Sequence, residues 1–160
     1  MRRYARLVIL VAAAMLAQWW WSSHGMLGGV APQLLLVLTI IVAARHGAIK
    51  AMVIGFFWGL FIDLMSARLV GANALALTLV AYGTGLARRQ VDLLGIEPQC
   101  AIVFALTPLY FLFWGLLGLL FSGSFLWVGW RSFLFDPFYN CLVAALAFLL
   151  WDPWVEGKPR

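Results

Sequence analysis

The chain has 160 residues, 65% of them hydrophobic and only 11% charged, with a mean hydropathy of +0.98. So few charges cannot clothe a water-soluble domain of this size, so the bilayer is the natural solvent. The formal charge of +5 is not the footprint of a nucleic-acid binder. The basic residues stand singly or in pairs between apolar runs, where they meet lipid headgroups and set orientation.

In lipid every backbone N–H and C=O must be paired internally, which leaves helices or closed barrels. A barrel strand would alternate polar and apolar residues. The apolar runs here are continuous, which predicts an all-α integral membrane protein. The first run is Leu7–Leu27, behind Arg2, Arg3 and Arg6. It imitates a signal peptide but ends in Gln18-Trp19-Trp20-Trp21, an interfacial anchor rather than a small-residue cleavage site. Gly28–Ala44 is the second run and is short: Pro32 suits a first helical turn, and Pro32 to Ala44 covers only ~20 Å. Ala48–Met65, Gly71–Ala87, Pro98–Phe121 and Phe133–Trp151 complete a polytopic bundle of about six helices. Nothing reads as a separate soluble domain, so residues 1–160 form a single transmembrane domain.

The placement of lysine and arginine sets the topology. With six crossings and a cytoplasmic N-terminus, Arg2, Arg3, Arg6, Arg45, Lys50, Arg88, Arg89, Lys158 and Arg160 lie inside, and only Arg68 and Arg131 outside. That is nine against two, the bias cytoplasmic loops carry. If the short second segment did not cross, the split would be five against six. Both termini are therefore expected in the cytoplasm. Trp19, Trp20, Trp21, Trp127 and Trp130 then fall near the outer interface, and Trp151 and Trp154 near the inner one. Phe125–Trp130 is expected to lie along the outer surface.

Ala51, Gly55, Gly59 and Asp63 recur every fourth residue and share one helix face. Its Gly-x-x-x-Gly pattern lets another helix approach closely. The plain reading is packing within the bundle; the sharper one is a seat for a partner or a second copy of the chain. Asp63 itself reads as an acceptor for backbone N–H groups at the start of the connection to the fourth span. Asp136 before Pro137 reads as an N-cap with proline at the first helical position. Asn140, one turn on, is placed to hydrogen-bond to Asp136. Tyr82 reads as packing within the fourth span with a satisfied hydroxyl.

Two carboxylates sharing a proton activate water in aspartyl peptidases, but the neighbours of Asp63 and Asp136 here are mostly Phe, Ile and Leu, not the fixed polar groups of such a motif. Cys100 and Cys141 read as small buried hydrophobes. His24 and His46 have no ligand-spaced companions, so no metal or cofactor is expected. A transporter of vitamin-like solutes would have only Asp63, Asn73, Asp136 and Asn140 to line its cavity.

Taken in order, Pro32-Gln33-Leu34-Leu35, the spaced Gly55 and Gly59, Asp63, Ser66, Gly71, Ala74 and Tyr82 resemble the rod shape-determining protein MreD family, with Gln33 where Asp or Asn is common. The resemblance implies a multi-pass protein of the bacterial inner membrane, similar in fold to the S component of energy-coupling-factor transporters. It also implies a non-catalytic scaffold of the cell-elongation complex. Such a scaffold binds the bitopic protein MreC and helps couple peptidoglycan synthesis to MreB. A cell-wall synthase, built from a SEDS glycosyltransferase and a class B transpeptidase, is reached through the complex. Membrane lipids and, at the glycine face, a second copy of the chain are the further partners to be expected.

Overall fold

The computed structural model describes residues 12–13, 15–20, 33–66, 69–93 and 95–151, and among these every regular element is an α-helix. Residues 12–13 and 15–20 belong to α1. Then follow α2 (Leu34–His46), α3 (Ala48–Ser66), α4 (Ala72–Ala87), α5 (Ile96–Ser122) and α6 (Trp130–Trp151). Three of them, α3, α5 and α6, are long and apolar enough to cross a bilayer, whereas α2 and α4 are shorter apolar helices. Pro32, Arg68 and Trp154 lie outside the described residues.

The short second segment is the centre of the molecule. Leu35 to Ala44 are buried without interruption, and α2 packs against α3, α4, α5 and α6. A helix that is apolar on every side belongs in an interior. One wrapped in protein has no need to match the bilayer thickness, provided its ends are satisfied. The remaining helices turn apolar side chains such as Phe57, Leu64, Leu120 and Phe138 outward. Buried hydroxyls are met locally: Thr39, Thr84 and Thr107 donate to the carbonyls of Leu35, Val80 and Val103 at 2.7–2.8 Å.

α2 and α3 are joined by a single residue, Gly47, at φ +91°, a conformation open chiefly to glycine. Its N–H closes the end of α2 on the carbonyl of Ala43. Arg45 and His46 in that last turn complement the negative end of the helix dipole. The Arg45 guanidinium also lies 4.8 Å over the ring of Phe148 on α6.

α3 and α4 form the most intimate pair, and the small residues of α3 are the reason. A Cβ on Gly59 would overlap the backbone of Asn73 and Ala74, and one on Gly55 would press on the carbonyl of Leu77. Ala51 is fully buried. In lipid, such packing replaces the hydrophobic drive. The stripe is therefore consumed inside the chain by α4 and is not open to seat a second copy. At the far end of α5, residues 125–129 fold back along that helix. The Phe125 ring covers Gly115 and the Leu126 side chain covers Gly118. Trp127 stacks in turn with Phe125, Trp130 and Phe133, with centroids 5.0–6.0 Å apart. The aromatic stretch is thus tied to the bundle as well as half open to its surroundings.

Gly59 and Gly83 give a matched test. A methyl at Gly83 meets only a Leu106 side-chain carbon at 3.9 Å. Gly83→Ala should leave thermal stability in detergent unchanged or slightly raised, since alanine is the better helix former. Gly59→Ala should lower stability by about 1–3 kcal/mol as the two backbones are driven apart. Equal melting curves for the two variants would contradict close backbone contact.

Candidate functional site

α4 begins without a cap of its own. Gly71 precedes it at φ +96° and offers no side chain. Four N–H groups at such a start lack intrahelical partners, and here each one is met. Ala72 donates to the carbonyl of Leu69 at 3.3 Å. The other three go to a side chain eight to eleven residues earlier. Asp63 Oδ2 accepts from Gly71 N at 2.9 Å and Ala74 N at 3.2 Å. Its Oδ1 accepts from Asn73 N at 3.2 Å and from Asn73 Nδ2 at 2.7 Å. Two carboxyl oxygens offer about four acceptor positions, and four donors take them. The carboxyl also lies at the positive end of the α4 dipole. The gap left by Gly59 lets α4 come close enough for this, so the glycine stripe and the aspartate are one device.

The network continues into α5. Tyr110 donates its hydroxyl proton to Asn73 Oδ1, which leaves the Asn73 amide bonded at both ends. Asp63, Asn73 and Tyr110 thus join α3, α4 and α5 through buried side chains. Asn73 and Tyr110 are not in the glycine–aspartate pattern, and the sequence points instead to Tyr82. That residue is 48% exposed, on the outside of the bundle. A signal for Tyr110 does exist: Val103, Thr107, Tyr110, Gly115 and Gly118 are all buried and recur at helical spacing along one face of α5.

α2 starts in the same manner. Gln33 provides no side-chain cap to it. Asn140 Oδ1, from α6, accepts from the backbone N–H of Gln33 at 2.9 Å. Gln18 Oε1, from α1, accepts from that of Leu34 at 2.8 Å. Asn140 Nδ2 donates in turn to the Thr107 hydroxyl at 3.2 Å. The expected bond from Asn140 to Asp136 is therefore replaced by bonds to α2 and α5.

Asp136 needs a second correction. It is not an N-cap. α6 begins at Trp130, with Phe133 N donating to the carbonyl of Gly129 at 3.0 Å. Asp136 and Pro137 lie inside the helix, 3% exposed in the case of Asp136. Its Oδ1 is buried and has no hydrogen-bond partner among the described residues. Nor do the two aspartates form a pair. α3 and α6 do not pack on one another, and both Asp63 oxygens are already engaged with α4. A shared proton of the peptidase type has no place in this arrangement.

Cys100 and Cys141 face each other across α5 and α6 as free thiols. Each donates to the other's backbone carbonyl, Cys141 at 3.2 Å and Cys100 at 3.7 Å. Beside the two capped helix starts lies a cavity of about 440 Å³. Asp63, Asn73, Asp136 and Asn140, the residues expected to line a solute site, do not line it; Gln18, Gln33 and Tyr110 supply its polar surface.

The two aspartates should respond to asparagine with opposite signs. Asp63→Asn puts an NH2 where one carboxyl oxygen now receives backbone N–H groups, so donors face donors. A loss on the order of 3 kcal/mol is expected, close to that of Asp63→Ala. Asp136→Asn keeps the shape and removes an acid from a poorly partnered site, so stability should hold or rise by about 1 kcal/mol. Thermal unfolding of the purified variants measures both. Asp63→Asn melting like the parent would refute the cap.

Residues 1–157 match the family described as rod shape-determining protein MreD. No curated protein and no solved structure matches the chain. The match spans nearly the whole sequence, so the chain belongs to the MreD family, and its role lies in cell shape.

Proposed function

We propose that this MreD-family chain is a non-catalytic scaffold of the bacterial cell-elongation complex. It crosses the inner membrane six times, with both termini in the cytoplasm and the capped ends of α2 and α4 turned outward. It binds MreC and, through the complex, helps couple a SEDS glycosyltransferase, a class B transpeptidase and MreB to growth of the rod. The observation that carries the reading is the use made of the buried polar side chains. Asp63, Asn73, Tyr110 and Asn140 are engaged in holding one helix to another, which suits a rigid support. The positive-residue bias supports the orientation.

Co-purification from mild detergent, followed by mass spectrometry, tests the partner. MreC should be recovered with the parent chain and lost with Gly59→Leu, whose side chain separates α3 from α4. Recovery of no elongation protein from the parent would sink the scaffold reading. For orientation, a cysteine placed at Arg68 should react with an impermeant reagent from outside, and one at Lys158 should not. Outside labelling at Lys158 rejects the six-crossing arrangement.

A further inference from the structure

Beside the helix caps lies an unfilled space, and its walls specify what fits. The cavity of about 440 Å³ falls within the usual size of small-ligand sites. Leu36, Leu77 and Tyr110 line it and are buried, so they form its floor. Trp19, Phe61 and Met65 line it and are exposed, so they form its rim. The mouth is thus bounded by α1 on one side and the end of α3 on the other. All three rim side chains are apolar or aromatic, a surface suited to an opening toward lipid.

Among the described residues the polar content is small and uncharged. Lysine, arginine, aspartate and glutamate are absent from that described lining. A phosphate or ammonium head would enter without a counter-charge, which is strongly unfavourable away from water. Gln18 Oε1 is already engaged by Leu34 N, and the Tyr110 hydroxyl already donates its hydrogen bond to Asn73 Oδ1. Gln33 is different. Its backbone N–H is taken by Asn140, yet its side-chain Oε1 is buried with no partner among the described residues. Buried amide oxygens are nearly always met, so this one calls for a donor from outside the described chain. A hydroxyl both donates and accepts, and so satisfies the amide in either orientation.

We propose that the cavity binds a neutral, hydroxyl-bearing amphiphile drawn from the membrane. Its hydroxyl bonds to the Gln33 side-chain amide, and its apolar part lies against Leu36, Leu77 and the rim. This site is separate from the scaffold role and does not depend on it.

The test uses the full chain in proteoliposomes with trace amounts of photoactivatable diacylglycerol, or of photoactivatable phosphatidic acid with the same acyl chains. After irradiation, labelled positions are mapped by mass spectrometry. Diacylglycerol should label peptides containing Trp19 and Met65, and phosphatidic acid should do so about fivefold less or weaker still. Gln33→Leu keeps the backbone bond to Asn140 and removes the acceptor; it should cut diacylglycerol labelling by about fivefold. Met65→Trp, at a rim position 61% exposed, should narrow the mouth and lower labelling without touching the core. It carries the test if Gln33→Leu does not fold. Excess glycerol should not compete, because the proposed ligand comes from the bilayer. Equal labelling by the two probes, competition by glycerol, or undiminished labelling in the folded variants overturns the proposal.

Discussion

A helix that begins in a packed interior presents N–H groups that water cannot reach, and this constraint organises the described bundle. Both short helices meet it largely in the same way, by taking side-chain acceptors from other helices, while Ala72 alone turns to the flanking carbonyl of Leu69. Asp63 serves α4, while Asn140 and Gln18 serve α2. The polar atoms that could have destabilised an apolar interior become the ties that hold it in register. Each tie is short-ranged and directional, so the helices must already be in close contact. The glycines of α3 and the burial of α2 supply that contact.

This division of labour separates framework from filling. α3, α5 and α6 are long enough to reach across a membrane, and they carry Asp63, Tyr110 and Asn140 respectively. α2 and α4 are shorter and take what those helices offer. A membrane protein cannot rely on water to favour one helix packing over another, because lipid chains are as apolar as leucine side chains. Specific hydrogen bonds between small-residue contacts give α2 and α4 one preferred depth along their neighbours.

Much of this was legible in the sequence, and the failures have physical causes. Continuous apolar runs located α3 to α6 to within three residues at each end, because length and hydropathy mark a span, whereas the run Gly28–Ala44 begins six residues ahead of α2. Asp63 was readable as an acceptor for backbone N–H groups because it follows the glycine stripe at the same spacing. Asp136 misled because Asp-Pro imitates a helix start. The start in fact lies at Gly129, seven residues earlier, and a membrane helix tolerates the internal proline. Asn140 was assigned its neighbour one turn away, since a sequence displays i,i+4 proximity and hides the approach of a distant strand of chain. Tyr82 and Tyr110 both lie within apolar runs. Only the packing of whole helices decides which of them faces the interior.

The bond between Asn140 and the start of α2 joins residues 107 positions apart. That separation has a meaning in time as well as in space. A ribosome adds about 5–20 residues per second, so α2 enters the membrane on the order of ten seconds before the side chain that completes it exists. Throughout that interval the most deeply buried helix of the finished protein has an exposed polar end and no wall on its α6 side. The nascent chain therefore depends on whatever the insertion machinery can offer α2 in the meantime. A message truncated before α6 would yield a product whose central helix is permanently unfinished, and so a ready mark for membrane proteases.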